Sequence, residues 1–168
     1  MRRLPMLLSA LLAAVLLAAC GSSNSDSGSD QFRGQTKSAL LDFGTEGDDA
    51  ALEEGAQVVE SFLAARAEGD WERACAQVSH SMLDKIEHLA ATATSLADES
   101  CPSFLEAFVR ISAKERKEGG NIDAGSMRRR GRQAYLIYYG GDKVVYAMPL
   151  SREGDAWKVA SLAPKRLS

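Results

Sequence analysis

A chain of 168 residues, 45% hydrophobic and 26% charged, with 14 Gly, 4 Pro and 3 Cys, has the composition of one globular domain. Those values exclude a collagen, a repeat array and a fully disordered protein. A formal charge of -3 also lacks the broad basic footprint of nucleic-acid binding, so no nucleic-acid partner is expected.

In chain order, Arg2 and Arg3 precede an apolar run from Met6 to Ala19. Charge followed by a short greasy run is the pattern of a secretion leader, residues 1–19, because a membrane span needs roughly 20 apolar residues. The run ends in Leu17-Ala18-Ala19-Cys20, which resembles the lipobox of bacterial lipoproteins. That resemblance implies cleavage before Cys20, a diacylglyceryl group on its sulfur and further acyl chains of the palmitate type. The partner so implied is a bacterial membrane, with the domain extracytoplasmic and anchored to it. Each buried methylene contributes about 0.8 kcal/mol, so two or more chains hold the protein without a spanning helix. With Cys20 used in this way, Cys75 and Cys101 remain as one pair in a compartment where thiols oxidise. We expect a disulfide between them, closing 25 intervening residues and worth about 3 to 4 kcal/mol by loop entropy.

Residues 20–48 begin with the lipid-bearing cysteine and continue in Ser, Gly, Asp, Asn and Gln, too polar to offset their ordering entropy, and read as a tether. As a coil it would hold the domain on the order of 30 Å from the bilayer. Ala39-Leu40-Leu41-Asp42-Phe43 is its one patch fit to dock, onto the domain or onto a partner. A single domain, 49–168, follows. Leu52, Ala56, Val59 and Leu63 repeat at helical spacing, Gly69 stops that helix, and Asp70 caps a second that opens at Trp71 and carries Cys75. Met82, Leu83, Ile86, Leu89 and Ala90 mark a third helix. A fourth starts near Pro102, with Phe104, Phe108 and Ile111 on its stripe, Lys114, Arg116 and Lys117 at its end, and Gly119-Gly120 stopping it. Beyond Asn121 the period becomes two, and Arg130-Gly131, Gly140-Gly141 and Glu153-Gly154-Asp155 separate short strands. Val144, Tyr146, Met148 and Leu150 should face the core, with Pro149 marking an edge or bulge, and a final strand carries Trp157, Val159 and Leu162. Helices first and a meander after them give an α+β fold, with N-terminal helices on a curved antiparallel sheet of about four strands.

That order, with the helix through Val58 to Ala67, Gly69-Asp70-Trp71 opening the next, and Gly154-Asp155-Ala156-Trp157-Lys158-Val159 near the end, resembles the nuclear transport factor 2-like fold. The resemblance covers roughly residues 50–163 and implies a cone with a pocket between helices and sheet. The superfamily includes isomerases, dehydratases, hydrolases and members that only bind. Its enzymes carry acids, histidines or tyrosines inside the cone, and no matching set stands here: Asp142, Glu153 and Asp155 fall at expected turns.

Four groups of residues invite chemistry. His80, Asp84 and His88 recur every four residues, but two histidines eight apart lie about 12 Å apart along a helix, so no metal or other cofactor is expected. Ser79, His80 and Asp84 include the residue types of a hydrolase triad, yet successive helical side chains diverge, and no catalytic residue is assigned. Arg128, Arg129, Arg130 and Arg132 read as a solvated strand edge or as a contact for anionic headgroups or an acidic polymer. Tyr138, Tyr146, Met148 and Trp157, with Trp71, would line a pocket if the sheet is concave. The function expected from these features is a non-enzymatic, membrane-anchored binding module for an envelope protein or an apolar small ligand. The alternative is a small pocket enzyme of the isomerase or dehydratase type.

Overall fold

The computed structural model describes residues 36–92, 100–108 and 121–167. Its order is α1 (Lys37–Leu41), β1 (Thr45–Glu46), α2 (Asp49–Glu68), α3 (Trp71–Ala76), α4 (His80–Thr92) and α5 (Cys101–Phe108), then β2 (Ile122–Arg130), β3 (Gln133–Gly140), β4 (Val145–Glu153), β5 (Ala156–Val159) and β6 (Lys165–Arg166). The strands form one antiparallel sheet in the order β1-β2-β3-β4-β5, with β6 also pairing with β4. The fold is therefore α+β, with every helix ahead of the four longer strands β2 to β5. The four strands expected from alternation are β2 to β5; β1 and β6, two residues each, are too short to leave a period in the sequence. Ile111, the basic residues after it and Gly119-Gly120 lie outside the described residues, as do Cys20 and the leader.

Helix boundaries follow the capping chemistry. The Asp48 carboxylate accepts from the Ala51 N–H at 2.9 Å, and Asp70 accepts from the Arg73 N–H at 3.0 Å, satisfying donors that a first turn leaves open. Gly69 closes α2 at φ 77°, a left-handed conformation glycine adopts without penalty. The buried face of α2 is rotated from the expected stripe: Ala51, Gly55, Val59, Phe62 and Leu63 are buried, while Leu52 and Ala56 are half-buried beside the core. Gly55 sets this register. A Cβ there would stand 2.9 Å from Met127 Sδ and 3.3 Å from Leu150 Cδ1, so any larger residue would have to push these side chains aside.

The main core lies between the helices and one face of the sheet, where Met127, Leu136, Tyr138, Met148, Leu150, Trp157 and Val159 meet Val59, Phe62, Val78, Ile86 and Leu105. Tyr146, Met148 and Leu150 take the face expected of them. Cys75 and Cys101 are bonded, with Cα atoms 6.1 Å apart, and tie α3 to α5. Two local expectations are corrected. Pro149 marks neither an edge nor a bulge: it sits inside β4 opposite Tyr135, and its carbonyl accepts from the Ala160 N–H at 2.9 Å. Backbone N and O of one strand residue point the same way, so Pro149 faces Ala160 with a carbonyl but no N–H to return the bond, and β5 pairing ends at Val159. The final strand stops at Val159, and Leu162 reaches the core from the following turn.

The opposite face of the sheet is covered as well. Leu40 of α1 is fully buried, Phe43 nearly so, and both pack on Tyr135, Ile137 and Ala147. The patch at Ala39 to Phe43 thus docks onto the domain. Residues 37–46, placed in the expected tether, form a strap that belongs to the packed body.

Candidate functional site

The five residues expected to line a pocket divide between core and periphery. Tyr138, Met148 and Trp157 are buried in the main core, while Trp71 and Tyr146 pack half-buried against it. Tyr138 stacks on Tyr146 with ring centroids 5.7 Å apart, and the Tyr146 hydroxyl donates to Asp142 Oδ2 at 2.8 Å. Burial pushes the Tyr138 phenol up, and burial plus the Asp142 carboxylate does the same to Tyr146. Asp142 moves the other way: the Val144 N–H at 3.0 Å and the Tyr146 hydroxyl hold its carboxyl below the usual range. An acid held down at an exposed turn is the reverse of the raised, buried acid that a pocket enzyme of this kind uses.

Trp157 also borders a cleft of about 340 Å³ between α2 and β5, together with Glu54, Gln57, Val58, Ser61, Gln77, Ala156 and Lys158. Glu54, Gln57, Val58 and Ser61 stand at helical spacings of three, four and seven, one face of α2. Arg152 joins two of these residues, its guanidinium 5.3 Å from the Trp157 ring centroid and its Nη1 3.3 Å from Glu54 Oε2. Lys158 is tied to the end of α3, Nζ donating to the Ala76 carbonyl at 2.7 Å. The Trp157 indole N–H is buried with no hydrogen-bond partner among the described residues. A buried donor left unmade costs about 1 to 3 kcal/mol. Of this site, sequence reasoning identified Trp157 alone. Spacing on α2 could have supplied Gln57 and Ser61, but nothing local pairs them with β5.

The arginine run has two uses in the structure. Arg128 Nε and Nη2 donate to the carbonyls of Phe43 and Gly44 at 3.2 and 3.1 Å, and Arg130 lies over the Phe43 ring at 4.6 Å. Arg132 Nη2 donates to the Arg152 carbonyl at 2.7 Å. Arg128 is therefore no solvated edge residue; it clamps the strap. Arg129 has Asp48 Oδ2 at 3.8 Å, and with Arg130, Gly44, Thr45 and Gly131 it borders a second cleft of about 460 Å³.

The histidines are apart from both clefts. Glu153 accepts from the His80 backbone N–H at 2.8 Å and from its Nδ1 at 2.5 Å, joining the β4–β5 hairpin to the start of α4, while Asp84 and His88 are exposed. No group of three potential metal ligands is assembled among the described residues. No helix among them is long and apolar enough to cross a membrane. Compared with protein-family models, with curated proteins and with solved structures, the chain matches none.

Proposed function

We propose that the chain is a lipid-anchored extracytoplasmic binding module, built as a nuclear transport factor 2-like cone, that holds a small ligand between α2 and β5. The lipid anchor rests on Leu17-Ala18-Ala19-Cys20, and the disulfide between Cys75 and Cys101 fits an oxidising compartment. The cone is supported by helices laid on one face of a four-strand antiparallel meander. The observation that carries the ligand site is the cleft of about 340 Å³ between α2 and β5, where polar side chains stand around Trp157. Of the eight residues lining that cleft only Val58, Ala156 and Trp157 are apolar, so the ligand is a small polar molecule with an apolar patch.

Native mass spectrometry of the mature protein, purified from an exporting bacterial host, tests this. A companion mass that vanishes on denaturation and is lost from Ser61→Trp, which fills the cleft, is the expected result. A bare protein, or a companion that Ser61→Trp retains, contradicts it.

A further inference from the structure

We propose that the open part of the β2 edge, Ile122 to Ala124, docks an extended segment of a partner protein that carries a lysine or arginine and adds to the sheet as a further strand. The proposal takes from the lipid-anchor reading only that this partner is met outside the cell, and it makes no use of the α2–β5 cleft.

The backbone supplies the first half of the argument. The strap occupies one end of the outer edge of β2, with Thr45 opposite Arg129, Glu46 opposite Arg128, and the Gly47 N–H donating to the Met127 carbonyl at 2.7 Å. From Ile122 to Ser126 no strand pairs with that edge among the described residues. Register on β3 decides which groups are offered there. The Gly140 N–H donates to the Val144 carbonyl at 2.9 Å, so the Gly140 backbone turns toward β4 and that of Tyr139 turns toward Asp123. Ile122 and Ala124, on either side of Asp123, therefore turn their N–H and C=O away from the sheet. Such alternate main-chain groups are what an added strand bonds. The other edge strand is closed, since the Val159 N–H donates to the Gln77 carbonyl at 2.8 Å and its carbonyl accepts from the Ser79 N–H at 2.9 Å.

Side chains supply the preference for a cation. Asp123 is exposed and pairs in register with Tyr139, whose side chain alternates onto the strap face with Tyr135 and Ile137. Tyr139 is itself 49% exposed. The register slips between Ala124 and Ser126, and Tyr139 Cε2 lies 4.0 Å from where a Gly125 Cβ would stand, which places the ring over β2 beside Asp123. A basic side chain opposite Asp123 on an added strand would meet both the carboxylate and the ring. The same acid disfavours a second copy of this chain. Two β2 edges paired antiparallel with Ile122 against Ala124 would set Asp123 against Asp123, and like charges directly opposite destabilise a pair. Centring the pair on Ala124 puts Ile122 opposite Ser126, whose backbone already faces Ile137.

The test uses the mature chain carrying Cys20→Ser, isotope-labelled for amide spectra and titrated with a capped peptide of alternating threonine and valine whose central residue is lysine. The amide signals of Ile122 and Ala124 should move while those of β5 stay. Asp123→Asn should weaken the lysine peptide about threefold and leave a central-methionine peptide unchanged, and a central-glutamate peptide should bind worst. A lysine peptide N-methylated on its bonding side should not bind. Ala124→Pro, which deletes an outward N–H that an edge strand can spare, should also abolish binding with unchanged thermal unfolding; should that variant not fold, the N-methylated peptide decides the same point. Equal affinity for the lysine, methionine and glutamate peptides, retained binding of the N-methylated peptide, or shifts confined to other strands overturns the proposal. So do shifts at Ile122 and Ala124 that grow with protein concentration in the absence of peptide, which would give the edge to a second copy. Failure here leaves the anchor standing, because acylation of Cys20 is read separately from the mass of the native protein.

Discussion

At Gly44 the backbone turns from α1 into β1 with φ 54°, and a Cβ there would sit 2.0 Å from the Arg129 carbonyl oxygen. No side-chain rotation relieves a clash with backbone, so Gly44→Ala should displace the strap at a cost of about 1 to 3 kcal/mol. Faster proteolysis between residues 37 and 46 would report it; an unchanged cleavage rate would mean that the turn can relax. Arg128 illustrates what spacing hides. The run of arginines is plain in the sequence, but its acceptors, the carbonyls of Phe43 and Gly44, lie more than eighty residues away. Pattern alone therefore returned a solvated edge. Tyr135 adds a pH signature. Burial raises its phenol to about 12 from 10.0, against a smaller opposing pull from Arg130. Between those values the unfolded chain has lost this proton and the native state keeps it, so stability should fall as pH rises from about 10 to 12. Thermal unfolding across that range, compared with Tyr135→Phe, should show the wild type losing more; parallel curves would contradict the assignment.

The strap is the element that composition concealed. Its ten residues hold one short apolar patch around Leu40 and Phe43, enough to dock on a prepared surface and too short to produce a period. Phe43→Ala would cost about 3 to 5 kcal/mol if the strap stayed docked. Release of the strap is an easier escape, since local opening limits what a peripheral contact can cost the whole. The expected outcome is rapid amide exchange at Leu40 and Phe43 with a small change in global unfolding. Elements with strong local chemistry were legible: Gly69 and Asp70 placed helix ends, and alternation placed β2 to β5. The rotated face of α2 was not, because Gly55 is buried by close approach rather than by hydrophobicity. Across elements, the disulfide joins α3 to α5 with a sequence separation of 26. Replacing both cysteines by serine should lower stability by about 3 to 4 kcal/mol, read by denaturant unfolding, through the freed entropy of that loop.

For the whole molecule, the α+β order was legible because helix and strand periods occupy separate halves of the chain, while the two clefts were not, because each is assembled from distant segments. The α2–β5 cleft draws on α2, the residue after α3, and β5; the arginine cleft draws on the strap and the β2–β3 turn. Both proposals share one premise, that the domain works outside the cell, held by Cys20 and closed by its one disulfide. The intact mass of the protein extracted from the membranes of an exporting bacterium tests that premise in a single spectrum. The account predicts a chain beginning at Cys20, heavier by a diacylglyceryl group and further acylation, and two hydrogens lighter for the bond between Cys75 and Cys101. A chain that retains Met1, or one with an unmodified Cys20 and three free thiols, would contradict it.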